Sequence, residues 1–236
     1  MIDTIADQPA VVPIVTSEET IAAAVARYEK LKHDLQIFMD GVVKYIGTHP
    51  DLVADNHHIV HSFKSRMKDP DHLRTKIIRK AEKGREINAQ NLHQEVTDLA
   101  GVRILHLFQE DFTAIDALIR RKVDEDGDWV FGERPKAYTW DPEAATFFRT
   151  FDLEVAEKST SYTSVHYLVR PRADSPLCCE IQVRTLFEEI WGEVDHQINY
   201  PIPTESVSLR EQIKVLSKIV GAGSRLLDAL KRVQNE

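Results

Sequence analysis

The chain has 236 residues, of which 42% are hydrophobic and 29% charged, so it holds enough apolar material for a sizeable core. Its formal net charge of -8 excludes a global electrostatic attraction to nucleic acid, although a local basic site is compatible with it. No apolar run is long enough to span a bilayer, and the first residues lack the basic and apolar regions of a signal peptide. The cysteines are the adjacent pair Cys178 and Cys179, so we expect buried free thiols and a cytoplasmic protein.

The first half of the chain predicts three helices and two strands after a flexible tail over residues 1–16. Apolar residues recur at helical spacing after Thr16 and Glu19, which form a capping box. Asp69 and Pro70 are a typical helix cap and first-turn residue. The predicted elements are a helix over about 17–47, a short strand over 57–63, a helix from 70 to about 84, a central strand over 100–108 and a helix over 112–122.

The second half is less regular at first and then becomes strongly patterned. Turns at Asp126-Gly127 and Asp141-Pro142 are expected to separate short strands within 123–160. Two strands joined by a proline-containing turn are predicted within 162–185, and Thr185 with Glu188 forms a second capping box. The remaining predicted elements are a helix ending before Pro201 and a last helix over about 206–233.

Helices around a mixed, mainly antiparallel sheet predict an α+β fold. We expect one domain over residues 17–200, with the first helix included, and a C-terminal helical extension over 201–236. The last helix could pack on the domain or pair with a second copy of the chain, since its apolar stripe suits either arrangement. We lean towards a homo-oligomer formed through this helix.

A basic segment, residues 61–85, is the first candidate site. Arg66 and Lys68 precede the helix that starts at Pro70, and Lys76 and Arg79 lie on one side of that helix. Free N–H groups at a helix start favour an anion, and nearby cations add charge complementarity, so the segment could cradle a triphosphate. Taken alone, a solvated basic face is the more common explanation.

The segment VTDLAGVRI, residues 96–104, is the second candidate. Asp98 lies just before the predicted central strand and Arg103 lies within it. A carboxylate at a strand edge can hold Mg²⁺, which often takes one or two carboxylates together with substrate phosphates. The alternative is that Asp98 only caps a turn.

The third candidate is the pair of strands within 162–185. Glu180, Gln182 and Arg184 share one face because side chains alternate along a strand. Glu180 could be a second metal ligand or a general base near Asp98, and the ring of Tyr162 could stack on a nucleobase. The alternatives are a solvated sheet face and ordinary packing. Together the three candidates suggest a nucleotide, a metal ion and phosphate.

The ordered motifs resemble the RelA/SpoT-type (p)ppGpp synthetases over roughly residues 57–200. The family's basic motif corresponds to Ser65, Arg66, Lys68, Lys76, Arg79 and Lys80, and its Asp-x-x-Gly-x-Arg motif to Asp98, Gly101 and Arg103. Its loop motif corresponds to Lys158, Tyr162, Ser164 and His166. Its strand and following helix correspond to Glu180, Gln182, Arg184, Thr185, Glu189, Trp191 and His196. The resemblance implies a nucleotidyltransferase-like synthetase domain of the small type.

The resemblance implies a pyrophosphokinase that moves the β,γ-pyrophosphoryl group of ATP to the 3′-hydroxyl of GDP or GTP. On the ATP side, Arg66 and Arg79 would flank the adenine, and Lys68 and Lys76 would hold phosphates. Asp98 would bind Mg²⁺. Positioning and charge neutralisation carry most of the catalysis in such a transfer.

On the acceptor side, the resemblance implies that Tyr162 stacks on the guanine. Glu180 would help to deprotonate the 3′-hydroxyl and would contact the metal ion, and Arg103 would act in catalysis. The other acceptor-side candidates are Lys158, His166, Gln182 and Arg184.

The sequence departs from the family pattern near the acceptor loop. His72 and Ser161 stand where the family usually has Ser and Gly, and the expected Asp-Tyr-Ile and Pro-Lys stretches are replaced by residues 144–162. Acceptor identity therefore stays open. One alternative hypothesis is a toxin-type enzyme that modifies the 3′ end of tRNA, and another is a non-catalytic nucleotide-binding regulator. Only about 50 residues precede the motifs, so no metal-dependent hydrolase domain is expected and His57-His58 is interpreted as incidental.

Overall fold

The computed structural model describes residues 13–54, 57–158, 160–199 and 202–234. Residues 1–12 of the predicted tail lie outside the described residues. The helices are α1 Glu18–Thr48, α2 Pro70–Ala81, α3 Leu92–Glu95, α4 Phe112–Asp124, α5 Pro142–Phe148, α6 Leu186–Asn199 and α7 Val207–Gln234. The strands are β1 Val53–Ala54, β2 His57–His58, β3 Val60–Met67, β4 Ala100–His106, β5 Val130–Phe131, β6 Lys136–Thr139, β7 Glu154–Glu157, β8 Ser164–Arg170 and β9 Cys179–Thr185.

One mixed sheet organises the fold, with its main path in the order β3-β4-β9-β8-β6-β7 and β5 paired to β8 beside it. The pairs β4–β9 and β6–β7 are parallel, and the other pairs in this sheet are antiparallel. The predicted α+β class with a mainly antiparallel mixed sheet is therefore confirmed. The short strands β1 and β2 pair with each other in a separate two-stranded sheet.

The two faces of the sheet have different environments. Alternate residues of the central strands β4 and β9, such as Val102, Ile104, Ile181 and Val183, are almost fully buried in the main core. Their neighbours in sequence point to the opposite face, where charged and amide side chains collect. The strict alternation on adjacent strands therefore places one polar row beside another on a single face.

Helix α1 is the long helix that covers the apolar face. Every third or fourth residue from Ile21 to Ile46 is buried, as the periodicity predicts. Ser17 caps α1 by accepting a hydrogen bond from the Thr20 amide, so the predicted cap at Thr16 was wrong by one residue. The buried Tyr28 hydroxyl donates to the Lys68 carbonyl at 2.5 Å, which ties α1 to the polar segment after β3.

Two Asp-Pro pairs start helices in the same way. The Asp69 carboxylate accepts from the amides of Asp71 and His72 at the start of α2, as predicted. Asp141 accepts from the Glu143 amide at the start of α5. The interpretation of this second pair as a turn between short strands was wrong, because the helix α5 begins there.

Helices α6 and α7 form a layer near the ends of β8 and β9. The predicted capping box at α6 is confirmed, since the Thr185 amide donates to Glu188 at 2.7 Å and the Glu188 amide donates to Thr185 at 3.2 Å. Trp191 of α6 packs with Ile213 and Val220 of α7. The C-terminal helix thus packs on the domain along one stripe.

A second stripe of α7 is apolar and exposed: Val215, Ile219, Leu226, Leu230 and Val233 are each more than half exposed. Pairing of α7 with a second copy of the chain therefore stays a prediction. Among the described helices, none combines the length and the apolar character that crossing a membrane requires.

Candidate active site

A cluster of two lysines around one aspartate lies where β3 and β4 meet α2. Lys68 follows β3, Lys76 lies in the second turn of α2, and Asp98 precedes β4. Each lysine Nζ lies 2.7 Å from a different carboxylate oxygen of Asp98. We call these three residues the lysine–aspartate cluster. Its two ammonium groups and one carboxylate carry a net positive charge.

The Asp98 carboxylate is ionised despite its surroundings. Its side chain is only 18% exposed, and burial alone would raise its pKa. The ammonium groups of Lys76 and Lys68 outweigh burial and lower the pKa of Asp98 to about 2. Asp98 is therefore an anion at every physiological pH.

Arg66 and Arg79 flank the lysine–aspartate cluster from β3 and α2. Both side chains are exposed, and neither makes a hydrogen bond or an ion pair within the described part of the chain. Lys80, next in sequence, differs because its Nζ donates to the Glu95 carbonyl. Two unpaired guanidinium groups beside a net positive cluster are suited to an incoming anion.

The start of α2 contributes less than the sequence predicted. Its first amides are already bonded to the Asp69 carboxylate, at 2.9 Å from Asp71 N and 3.0 Å from His72 N. The expectation of free N–H groups open to an anion was therefore wrong. Anion binding at this end of the sheet depends on side-chain cations.

Gly101 has no side chain and therefore leaves the sheet uncovered between Arg66 on β3 and Glu180 on β9. Arg66, Gly101 and Glu180 stand opposite one another on β3, β4 and β9. A Cβ on Gly101 would meet its nearest neighbour, the Glu180 carbonyl oxygen, only at 3.8 Å, which is an ordinary contact. The fold therefore does not demand glycine here, and the missing side chain leaves the floor between Arg66 and Glu180 uncovered.

Five side chains on β8, β9 and the preceding loop form a closed ring of hydrogen bonds, which we call the polar ring. Glu180 Oε1 lies 3.1 Å from His166 Nδ1, and Glu180 Oε2 accepts from Gln182 Nε2 at 2.9 Å. Arg184 Nη2 donates to Gln182 Oε1 and to the Tyr162 hydroxyl, both at 3.0 Å. The Tyr162 hydroxyl lies 2.8 Å from His166 Nε2 and closes the ring.

The carboxylate of Glu180 is held in its ionised form. Burial would raise its pKa, but hydrogen bonds from His166 and Gln182 lower it below the ordinary value. The charge of Asp98 acts in the raising direction. Asp98 precedes β4 and Glu180 lies on the neighbouring strand β9, and the meeting of their carboxylates at one site stays a prediction.

Arg184 and Tyr162 are packed together under α6. The Arg184 side chain is 4% exposed, and its guanidinium carbon lies 5.1 Å from the centre of the Tyr162 ring. Burial raises the pKa of the Tyr162 hydroxyl, so it remains protonated. Arg184 thus occupies the neighbourhood of the tyrosine ring, close to where a stacked base would bind.

Glu189 of α6 forms ion pairs with three cations of the polar face, and the sequence did not predict this role. Its Oε1 lies 2.7 Å from both Lys64 Nζ and Arg103 Nη1, and its Oε2 lies 3.3 Å from Arg184 Nη1. Burial would raise the pKa of Glu189, but hydrogen bonds from Lys64 and Arg103 lower it. Arg103 therefore contacts Glu189, and its assignment to catalysis stays a prediction.

Lys158 lies near the His166 end of the polar ring, separated from it by the ring of Tyr138. Its Nζ lies 4.4 Å from the centre of the Tyr138 ring, and that ring in turn lies edge-on to His166 at 5.0 Å. The predicted residues Lys158, Tyr162 and His166 thus come together at one end of the polar face. Tyr138 lies on β6 and packs beside this end of the face through its ring, without joining the polar ring.

Asp98 and Glu180 are the carboxylates of this face that a divalent cation would use. Within the described ranges, no group of three or more His, Cys, Asp or Glu side chains is arranged to hold a metal ion. Asp98 and Glu180 supply two ionised carboxylates, and Mg²⁺ commonly takes one or two from the protein when phosphates complete its shell. Since Lys68 and Lys76 now occupy both Asp98 oxygens, these ammonium groups would turn to the phosphates.

The model of the region found in RelA and SpoT proteins matches residues 65–205, more than half of the chain. The match includes the lysine–aspartate cluster and the polar ring. This chain belongs to the RelA/SpoT family. The resemblance inferred from the motifs is thereby confirmed.

Known relatives have the same fold. GTP pyrophosphokinase YwaC of Bacillus subtilis (strain 168) is 23% identical over 202 residues, which are 81% of this chain and 85% of that protein. The structure of smu.1046c from Streptococcus mutans UA159 has a TM-score of 0.59 at 20% identity and covers 88% of this chain and 96% of its own. Small alarmone synthetase 1 from Bacillus subtilis, bound to its product pppGpp, has a TM-score of 0.55 at 19% identity, with 89% and 94% covered.

Proposed function

We propose that this member of the RelA/SpoT family is a small alarmone synthetase that transfers the β,γ-pyrophosphoryl group of ATP to the 3′-hydroxyl of GDP or GTP. The observation that carries the proposal is the placement of the lysine–aspartate cluster at the start of β4 and of Glu180 on the adjacent parallel strand β9, with open sheet at Gly101 between them. A phosphate-binding group and a base then face one shared space.

The lysine–aspartate cluster would hold the ATP. Lys68 and Lys76 would leave Asp98 for the phosphates, and the exposed guanidinium groups of Arg66 and Arg79 would lie against the adenine, where cation–π contacts form readily. Asp98, with Glu180, would hold Mg²⁺, which supplies charge neutralisation on the phosphates when it is bound. The two lysines would exchange the Asp98 carboxylate for phosphates, and Mg²⁺ would take their place at Asp98.

Glu180 would act on the acceptor. As the 3′-oxygen forms its bond to the β-phosphorus, the bond from that phosphorus to the oxygen bridging to the α-phosphorus breaks, and AMP leaves. The hydroxyl proton passes to the Glu180 carboxylate, which is ionised and able to receive it. Tyr162, Lys158 and His166 would bind the acceptor beside Glu180, with Gln182 and Arg184 behind them.

Two structures of one relative support nucleotide substrates. Small alarmone synthetase 1 from Bacillus subtilis has been solved with its product pppGpp and with AMPCPP. The structure favours a free nucleotide over tRNA as acceptor because the basic surface on α2 is partly neutralised. Within it, Lys76 is paired with Asp98, and Lys80 and Arg85 are paired with Glu95. An RNA backbone requires clustered unpaired cations.

Label transfer from γ-labelled ATP tests the proposal. The chain is incubated with Mg²⁺ and labelled ATP, together with GDP, GTP or tRNA in separate reactions, and the nucleotides are separated afterwards. We expect label on the guanosine nucleotide and AMP as the second product. Label on tRNA alone would replace GDP and GTP with tRNA as the acceptor. Nucleotide binding without transfer to any acceptor would favour a regulator, and ADP in place of AMP would show transfer of a single phosphoryl group.

A further inference from the structure

In the polar ring, the chemistry of the side chains decides which group donates and which group accepts each hydrogen bond. Arg184 can only donate hydrogen bonds, and an ionised carboxylate such as Glu180 can only accept them. Gln182 must therefore turn its oxygen to Arg184 and its amide nitrogen to Glu180. Arg184 Nη2 then donates to Gln182 Oε1, and Gln182 Nε2 donates to Glu180 Oε2.

The other side of the ring follows the same logic. Since Arg184 donates to the Tyr162 oxygen, the Tyr162 O–H is free to donate to His166 Nε2. With His166 neutral, Nε2 accepts, and the proton of the imidazole resides on Nδ1, from which it is donated to Glu180. One arrangement of hydrogens forms all five hydrogen bonds of the ring, and it assigns the Nδ1–H tautomer to His166.

We propose that the Tyr162 hydroxyl and Arg184 are positioning residues that act through His166 and Gln182 to fix the orientation of the Glu180 carboxylate. The inference rests on the proposed function, in which Glu180 is the base, and adds a role for the tyrosine hydroxyl that is separate from stacking by its ring. Each Glu180 oxygen is held by a different neighbour, so the carboxylate cannot rotate without breaking a hydrogen bond. Each oxygen still keeps a lone pair for the substrate.

The packing around Arg184 keeps the ring in place. Its Nη1 lies 3.3 Å from Glu189 Oε2, and a Cβ added to Gly192 of α6 would stand 2.9 Å from the same Nη1. The guanidinium is therefore wedged between a carboxylate and the backbone of α6. Arg184 is therefore held in place by packing, and its hydrogen bonds orient Gln182 and Tyr162.

The arrangement also connects acceptor binding to the chemical step. The residue whose ring would contact the acceptor base carries the hydroxyl that orients His166, and His166 orients the carboxylate that would act on the 3′-hydroxyl. A base that shifts Tyr162 would therefore shift the proton acceptor. Misplacement of reacting groups by about 1 Å can cost on the order of a hundredfold in rate.

Tyr162→Phe separates the two roles because it keeps the aromatic ring and removes only the hydroxyl. We expect kcat for pyrophosphoryl transfer to fall about 10- to 100-fold, while the KM for the acceptor stays within about twofold. Tyr138→Phe is the matched control, since it removes a hydroxyl that is outside the ring and keeps the aromatic contact with His166. It should retain the wild-type kcat.

Arg184→Lys is a second break in the ring that keeps a positive charge beside Glu189. It should lower kcat in the same direction, because an ammonium on a shorter reach does not hold Gln182 and Tyr162 together. Unchanged ATP affinity and circular dichroism in both variants show that each is folded. Wild-type kcat in folded Tyr162→Phe, or an equal loss in Tyr138→Phe, would overturn the inference and leave the proposed function intact.

A readout without catalysis comes from ¹⁵N NMR of the histidine side chains in the full chain. The His166 signals are assigned by their loss in His166→Gln. We expect the Nδ1–H tautomer in the wild type and a mixed or Nε2–H population in Tyr162→Phe. An Nε2–H tautomer in the wild type would contradict the ring. Absence of any transfer by the wild-type chain would instead remove the proposed function, and with it the role of the ring in catalysis.

Discussion

The lysine–aspartate cluster and the polar ring each surround one ionised carboxylate, and they hold it by different means. Asp98 is held by two ammonium groups, whose attraction depends little on angle. Glu180 is held by an amide and an imidazole, whose hydrogen bonds are directional. Lysines can exchange one anion for another without loss of charge balance, whereas the ring is disturbed if any member turns. The first arrangement suits a site that must admit phosphates, and the second suits a site that must aim a base.

Exposure follows the same division. Arg66 and Arg79 beside the cluster are exposed, while Arg184 in the ring is 4% exposed. The ring also lies beside the packed layer of α6 and α7, since Tyr162 packs against the small core formed by Trp191, Ile213 and Val220. Affinity for ATP should therefore tolerate single changes better than the chemical step does.

The largest effect is expected for Glu180→Gln, which preserves shape and removes the proton acceptor. We expect kcat to fall about a hundred- to ten-thousand-fold, as for loss of a general base. The Kd of ATP should change by less than about threefold, because Lys68 and Lys76 are untouched. Glu154→Gln, at the exposed edge strand β7, is the control. Retention of full turnover by Glu180→Gln would show that the ring does not hold the base.

Asp98→Asn should have the next largest effect and should act on the dependence on Mg²⁺. In the wild type, Mg²⁺ should tighten the binding of ATP, and this gain should be lost in the variant. Binding of ATP without Mg²⁺ should be unchanged or tighter, since the two lysines lose their anionic partner. Calorimetric titration with and without Mg²⁺ measures both quantities. A preserved gain from Mg²⁺ would show that Asp98 is not a ligand.

Arg66→Ala and Arg79→Ala should have smaller effects, confined to ATP. Loss of one contact to the base should raise the KM for ATP about tenfold, which corresponds to about 1.4 kcal/mol, and should leave the KM for the acceptor unchanged. Arg74→Ala is the matched control, because this α2 arginine pairs with Glu18 on α1. A change in the KM for the acceptor alone would show that these arginines bind the acceptor and not ATP.

Glu188→Gln should change stability and not the chemistry. Burial raises the pKa of Glu188 from an ordinary 4.5 to about 7, although its hydrogen bond from the Thr185 amide acts in the other direction. A raised pKa in the folded state means that Glu188 contributes stability below pH 4.5 and that this contribution is lost as the pH rises through about 7. Glutamine can accept the same amide hydrogen and carries no charge.

The variant should therefore unfold at a higher temperature than the wild type at pH 8, by a few degrees for about 1–2 kcal/mol. The difference should nearly vanish at pH 4.5, where Glu188 is protonated in the folded state and half protonated in the unfolded state. Thermal unfolding at both pH values measures it, with the exposed Glu86→Gln as the control. A difference that is the same at pH 4.5 and pH 8 would contradict the raised pKa.

Much of the fold was predictable because its signals are local. The last helix was predicted over 206–233 and is observed over Val207–Gln234, and the capping box of Thr185 and Glu188 forms as predicted. The strand β4 was also placed correctly, since a run of branched residues has few alternatives. Helix α5 was missed although Asp141-Pro142 repeats the signal of Asp69-Pro70, because seven residues are too few to show helical periodicity.

The candidate site was predictable as a set of residues but not as a set of contacts. Alternation on β9 placed Glu180, Gln182 and Arg184 on one face, and the structure confirms this. The closure of the ring through Tyr162 depends on the register of β8 against β9, which no local pattern contains. The role of Glu189 was hidden for the same reason, since its three cations come from β3, β4 and β9.

A crystal structure of the wild-type chain with Mg²⁺, a non-hydrolysable ATP analogue and GDP tests the central claim most directly. We predict that Lys68 and Lys76 have moved from Asp98 to the phosphates, that Asp98 contacts the Mg²⁺ ion, and that the polar ring is unchanged with Glu180 within hydrogen-bonding distance of the GDP 3′-hydroxyl. A triphosphate bound away from these lysines, or a 3′-hydroxyl remote from Glu180, would contradict the account.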